Sequence, residues 1–353
     1  MSVHRFFALL PLAIACSVAS AADFPSAQGD WIAPSFIFHT GEKLPDLKMH
    51  YVTVGDPKNP AVLYLHGTNR PGSDVLNKDF AGALFGPGQA LDASKYYIIA
   101  PDGIGIGQSS KPSDGLRMKF PAYNYTDMVN AQYRLITEGL GIKHLRLVIG
   151  NSMGGMQTWL WGTDYPTMMD GLVPMASQPT EMASRNWIMR RLLVESIKQD
   201  PAWDNGNYTT QPPSLRLANA LFSVGTSGGN LGWYSVAPTH ALADKQVEEK
   251  LALPLPGDAN DFIYQWQSSA DYNPAPHLDK IRAPLLLINS ADDERNPPET
   301  RTLEVALKQL PKARLLLIQE SKDTRGHGTT SYAKFYAAPL HEFIQSLPRG
   351  KAP

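Results

Sequence analysis

The sequence predicts an α/β fold, a mostly parallel sheet flanked by helices, with a helical lid inserted late in the chain. Three observations carry that expectation. Apolar strand-like runs recur with helical stretches between them, the pattern of a parallel sheet with crossover helices. One of these runs leads directly into a glycine-flanked serine and then a helical segment. The gap between the fourth and fifth runs is too long to be a loop and must hold structure of its own.

In chain order, His4 and Arg5 precede an apolar run from Phe6 to Val18, and Ala19-Ser20-Ala21 supplies the small residues of a cleavage site. Residues 1–21 therefore read as a secretory signal peptide, with an apolar run too short to span a bilayer. The expected location is exported, periplasmic or secreted, with no membrane span. Cys16 is the single cysteine and falls within this segment, so the mature chain is expected to use neither disulfides nor thiol chemistry. Lipid attachment through Cys16 is the alternative, but Ala13 stands where a lipobox prefers Leu.

The core is expected over residues 22–177 and 283–353. Its strand-like runs are 61–65, 96–100, 145–149, 171–175, 284–289 and 314–318, each followed by polar or glycine residues. In such sheets the ligand site lies beyond the carboxyl ends of the strands. Residues 178–282 form the expected lid. They contain helical patterns from Ser184 to Lys198 and from Leu215 to Phe222, and aromatics including Trp187, Trp203, Trp233, Tyr234, Phe262, Tyr264 and Trp266.

Composition removes several function classes. Hydrophobic residues make up 43% of the chain, ample for a buried core, and the net charge is −1 without a run of one sign. Nucleic acid and polyanions are therefore not expected partners. Gly103-Ile104-Gly105-Ile106-Gly107 lacks the G-x-G-x-x-G spacing of a dinucleotide site and reads as a turn beneath a neighbouring loop. No His, Asp or Glu cluster shows metal-ligand spacing. No metal and no cofactor are expected.

The chemistry points to Gly150-Asn151-Ser152-Met153-Gly154. A G-x-S-x-G between a strand and a helix forms a sharp turn that lifts the serine hydroxyl clear of the sheet, and a Cβ at Gly150 or Gly154 would collide with adjoining backbone. A serine hydroxyl needs a base in contact with it. Among nine histidines, His327 lies in Arg325-Gly326-His327-Gly328 just past the last strand, whereas His39, His50, His144, His240, His277 and His341 lack a strand-end context. An acid must orient that imidazole. Asp292 and Asp293 both follow the strand ending at Asn289-Ser290. Asp293 has the spacing to Pro297 usual in this arrangement and is the choice. The order Ser, Asp, His is that of the α/β-hydrolase fold. Oxyanion donors are expected at the backbone N–H of Met153 and of Thr68, which follows His66-Gly67. His66 reads as a loop organiser.

Several stretches resemble the homoserine O-acetyltransferase family within the α/β-hydrolase superfamily. They are Leu84 to Asp92, Phe120-Pro121, Asp127 to Gln132, Leu140-Gly141-Ile142, Ser152 to Gln157, Asp200-Pro201-x-Trp203 with Gly206 and Tyr208, and Pro297-Pro298-Glu299. The resemblance covers nearly the whole mature chain. It implies the same fold, a helical lid that often pairs subunits into a homodimer, and a Ser152–Asp293–His327 triad passing through an acyl-serine. It also marks a departure. The transferases place an Arg six residues before the Asp of Asp-Pro-x-Trp to hold a substrate carboxylate, and that position here is Val194, with Arg190 and Arg191 about one helical turn earlier. Asn151 stands where the family usually has Gly. Acetyl-CoA is a cytosolic donor, and an exported enzyme would meet water as its most abundant acceptor. The expected activity is therefore that of an exported serine hydrolase acting on a small-molecule ester or related acyl substrate. An O-acyltransferase is the alternative, and a non-catalytic binder is the third class.

Overall fold

Strands that are apolar along their whole length must be covered on both faces, and the structure shows how. It is a computed structural model that describes residues 24–255 and 257–348; the expected signal peptide lies outside them. The described residues build a sheet of eight strands: β1 (Ser26–Ile37), β2 (Lys43–Val54), β3 (Ala61–Leu65), β4 (Tyr97–Pro101), β5 (Leu147–Asn151), β6 (Leu172–Met175), β7 (Leu285–Ser290) and β8 (Ala313–Ile318). Their spatial order is β1-β2-β4-β3-β5-β6-β7-β8. From β3 to β8 all pairings are parallel. β1 and β2 form an antiparallel hairpin against β4. This hairpin is absent from the strands that apolar runs mark, because the mostly exposed β1 has no continuous apolar run.

The helices before the insertion are α1 (Ala81–Leu84), α2 (Tyr125–Arg134) and α3 (Met153–Asp164). The insertion carries α4 (Ser184–Lys198), α5 (Ser214–Thr226), α6 (Asn230–Val236), α7 (His240–Ala252) and α8 (Ala259–Gln267), and the chain closes with α9 (Thr302–Leu307) and α10 (Ala337–Ser346). Period-two alternation sorts the strand side chains onto the two faces. Leu63, Leu65, Val148, Leu285 and Leu287 pack with α2, α3 and α9 on one face. Val62, Tyr64, Leu147, Ile149, Leu286 and Ile288 pack with α1 and α10 on the other.

The insertion has a core of its own, built from Leu193, Val194 and Ile197 of α4, Leu215 and Ala218 of α5, and Phe262, Ile263 and Trp266 of α8, with Trp203. Trp203, Phe262 and Trp266 thus serve packing, and Trp203 Nε1 donates to Asn260 Oδ1 at 2.9 Å. α8 starts where Asp258 caps it, accepting from the N–H groups of Asn260 and Asp261. The insertion meets the loops at the carboxyl ends of the strands: Gly228 N donates to Arg325 O at 3.0 Å and Arg295 Nε donates to Gly225 O at 3.0 Å. Below this contact, Ser113 donates to Asp261 of α8 through both its N–H (2.8 Å) and its hydroxyl (2.6 Å).

Candidate active site

β5 ends at Asn151 and α3 begins at Met153, so the chain reverses on one residue, Ser152. That residue has φ 57° and ψ −111°, a region non-glycine residues rarely occupy. The strain persists because the surroundings hold both sides. Ser152 N donates to Met175 O at 2.9 Å and Met156 N donates to Ser152 O at 2.9 Å. A Cβ on Gly150 would strike the carbonyl of Gly154, and one on Gly154 would strike the carbonyl of Leu65. The turn closes only with glycine at these two positions.

His327 arrives from the 3-10 turn Gly326–Ser331 that follows β8. The Ser152 hydroxyl donates to His327 Nε2 at 2.7 Å, and His327 Nδ1 donates to Asp293 Oδ2 at 2.8 Å. A carboxylate can only accept, which puts the ring proton on Nδ1 and leaves Nε2 as the acceptor. Asp293 is 1% exposed. Burial alone would raise its pKa, but the adjacent His327, together with donors from Asn296 and the Arg295 N–H, holds the carboxyl below its ordinary range. Asn296 Nδ2 donates to Asp293 Oδ2 at 2.9 Å and to Ala176 O at 3.0 Å, fixing the carboxylate to the sheet.

Asp292 lies apart from the imidazole. It accepts from Thr324 Oγ1 at 2.8 Å, from Gly326 N at 3.1 Å and from the Ser290 hydroxyl. Asn151 reaches the same turn from the other side, accepting from Thr330 Oγ1 at 2.6 Å. The residue that departs from the resembled family's Gly thus ties the serine turn to the histidine turn.

Met153 is the first residue of α3, so its N–H has no acceptor within the helix. Gly67 lies against the Ser152 turn, and a Cβ there would be 3.7 Å from Ser152 Cβ. Thr68, the next residue, is buried. His66 fixes this loop. Its Nε2 accepts from Gly103 N at 2.8 Å, which leaves Nδ1 to donate to Gly67 O at 2.8 Å. Burial lowers its pKa and keeps it neutral for this arrangement. The glycine stretch after β4 thus supports the loop through Gly103. His39, His50 and His144 instead pair locally with Asp127, Asp30 and Asp170.

Val194, Arg191 and Arg190 of α4 have three different surroundings. Val194 packs inside the insertion core. Arg191 points to solvent and pairs with Glu195 at 2.8 Å, whereas Arg190 is buried and its Nη2 reaches Thr68 Oγ1 at 3.4 Å. Among the described residues, no group of three or more His, Cys, Asp or Glu is disposed to hold a metal ion.

A parallel sheet with a serine at the end of a central strand, a histidine after the last strand and an aspartate after the one before it is the arrangement of a class of α/β enzymes. The chain belongs to the α/β-hydrolase fold family, which it matches over residues 60–324. It is 30% identical over 290 residues to a probable acyltransferase of Methanothermobacter thermautotrophicus, covering 80% of this chain and 87% of that one. It is 34% identical over 334 residues to a homoserine O-acetyltransferase of Methanohalobium evestigatum, covering 78% of this chain but 64% of that protein. Among solved structures, it superimposes on the homoserine O-acetyltransferase from Bacillus anthracis with a TM-score of 0.78 and 21% identity, covering 91% of this chain and 98% of that one. An acetylester hydrolase from Corynebacterium glutamicum gives a TM-score of 0.77 and 22% identity, covering 91% and 96%. These two likenesses are of fold. The protein is an enzyme of the α/β-hydrolase fold with acyltransferases among its relatives, and it shares that fold with an acetylester hydrolase.

Proposed function

We propose that the protein is an exported serine hydrolase that cleaves an ester or related acyl bond through an acyl-serine. The observation that carries this reading is the line of hydrogen bonds from Ser152 to His327 (2.7 Å) and on to Asp293 (2.8 Å) at the strand ends. Ser152 Oγ attacks the carbonyl carbon while His327 Nε2 takes its proton, and the Asp293 carboxylate stabilises the imidazolium. The carbonyl oxygen becomes an oxyanion received by the N–H groups of Thr68 and Met153. Collapse breaks the ester bond, and His327 returns the proton to the departing alcohol. A water then gives its proton to His327 and attacks the acyl carbon, and Ser152 leaves protonated. The helical insertion acts as the lid over this chemistry. Export rests on the charged start, apolar run and small-residue site of residues 1–21. Exposed Ile188, Leu192, Leu217 and Leu221 on α4 and α5 give the lid an apolar face suited to pairing with a second copy.

The second reading is acyl transfer, favoured by the similarity to homoserine O-acetyltransferases. The two readings share the acyl-serine and differ in what resolves it. The test mixes the enzyme with p-nitrophenyl acetate, with and without homoserine. Hydrolysis predicts acetate as the product in both; transfer predicts O-acetylhomoserine.

A further inference from the structure

The turn Gly326–Ser331 that carries His327 is a 3-10 turn, in which side chains three residues apart lie above one another. His327 and Thr330 therefore share a face. They meet two consecutive residues of the chain: the Ser152 hydroxyl donates to His327 Nε2 at 2.7 Å, and Thr330 Oγ1 donates to Asn151 Oδ1 at 2.6 Å. Consecutive residues of a strand point to opposite faces. Here the chain reverses at Ser152, with φ 57°, and both side chains reach the same turn. Asn151 Nδ2 also donates to Ser331 Oγ at 3.4 Å.

The histidine turn is gripped on both sides of the imidazole. Before it, Asp292 accepts from the N–H of Gly326 at 3.1 Å. After it, Thr330, 1% exposed, is held by Asn151 and through its carbonyl by the buried Tyr336 hydroxyl at 3.0 Å. Of these three anchors, Asn151 alone sits on the strand that leads into the serine. Glycine, usual at this position in the resembled family, offers no side chain for the link.

The link matters most at one stage of the reaction. In the free enzyme the Ser152–His327 hydrogen bond itself draws the two turns together. Once Oγ is esterified it has no proton to donate, and that bond is gone. Among the described residues, the side-chain hydrogen bonds that still join the two turns are then those of Asn151. We propose that Asn151 and Thr330 are positioning residues that keep His327 over the acyl-serine until water resolves it. In that step His327 Nε2 takes a proton from water as the water oxygen bonds the acyl carbon, and returns it to Oγ as the C–Oγ bond breaks. Asn151 and Thr330 exchange no proton; they act through the placement of His327. The proposal rests on the acyl-serine reading given above.

The experiment measures the two half-reactions of the full chain separately, with p-nitrophenyl acetate as the probe. The burst of p-nitrophenol reads acylation. Mass spectrometry of the Ser152 adduct, after the ester is removed, reads deacylation. Thr330→Val keeps the shape and deletes the hydroxyl, whereas Thr330→Ser keeps the hydroxyl and deletes a methyl group. Thr330→Val and Asn151→Ala are each expected to slow deacylation by about 10- to 100-fold and acylation by only about threefold. The double variant should lose little more than the worse single one, because both substitutions remove the same bond. Thr330→Ser should recover most of the loss, the reverse of what a packing role requires. Deacylation is followed only on protein that has formed the adduct, so unfolded chains do not enter it. Unchanged deacylation in Thr330→Val, equal slowing of both steps, or a Thr330→Ser variant no faster than Thr330→Val overturns the proposal. If wild-type Ser152 takes no acetyl group, the acyl-serine reading fails and the proposal falls with it; a normal wild-type adduct with unchanged decay in the variants overturns the proposal alone.

Discussion

Asp292 and Asp293, adjacent in sequence, hold the same histidine by different means. Asp293 Oδ2 accepts from the His327 ring at 2.8 Å, while Asp292 accepts from the backbone of Gly326 at 3.1 Å and from Thr324 Oγ1 at 2.8 Å. One carboxylate orients the imidazole, and the other fixes the turn that carries it.

The two substitutions should therefore separate. Asp293→Asn is expected to lower kcat by about three to four orders of magnitude, since an amide at this position favours the wrong tautomer. Asp292→Asn loosens the turn without touching the ring, and roughly a tenfold loss with a lower Tm is expected. Steady-state rates on p-nitrophenyl acetate check both. A larger loss in Asp292→Asn would reverse the assignment.

His66 is expected to matter for rate while touching no reacting atom. It holds the Gly67 carbonyl through Nδ1 and receives the Gly103 N–H at Nε2. Losing an oxyanion donor outright costs about 100- to 1000-fold, so His66→Ala, which only frees the loop, should cost about 10- to 100-fold in kcat with a smaller change in KM. A kcat within twofold of wild type would show that the loop holds its shape without the imidazole.

Gly154→Ala would press a methyl group against the carbonyl of Leu65, a backbone atom in a central strand. The Ser152 turn and β3 cannot both stay in place, and a destabilisation of at least about 1–3 kcal/mol is expected, read as a lower urea midpoint. An unchanged midpoint would mean that the turn relaxes freely.

Burial pushes the Asp261 carboxyl up to about 7, against the two Ser113 donors that favour its ionised form. A carboxyl raised above its unfolded value binds a proton more readily in the native state. Its effect is therefore a loss of stability as pH rises from about 4 to about 7. Asp261→Asn cannot ionise, so its stability relative to wild type should increase across that window. Denaturation midpoints at pH 4.5 and 7.5 check the sign, and a constant difference would contradict it.

The parallel strands were legible because each is a continuous apolar run, as burial on both faces requires. The antiparallel hairpin was not, since one mostly exposed strand carries no such run. Ser152 was marked by its glycines, and Asp293 and His327 by their places after strands. Asn151, Asn296 and Arg295 bond Thr330, Ala176 and Gly225 only when distant loops close, and no local spacing announces them. Arg190 and Arg191 were indistinguishable in sequence; the helix turns consecutive residues about 100° apart, and burial selected the first.

The central claim is that Ser152 carries the acyl group and water removes it. Mass spectrometry of the protein after brief mixing with p-nitrophenyl acetate, with and without homoserine, tests it most directly. The account predicts an acetyl adduct on Ser152, absent from a folded Ser152→Ala variant, that decays at the same rate in both mixtures. An adduct elsewhere or none at all would contradict the nucleophile, and faster decay with homoserine, yielding O-acetylhomoserine, would contradict hydrolysis.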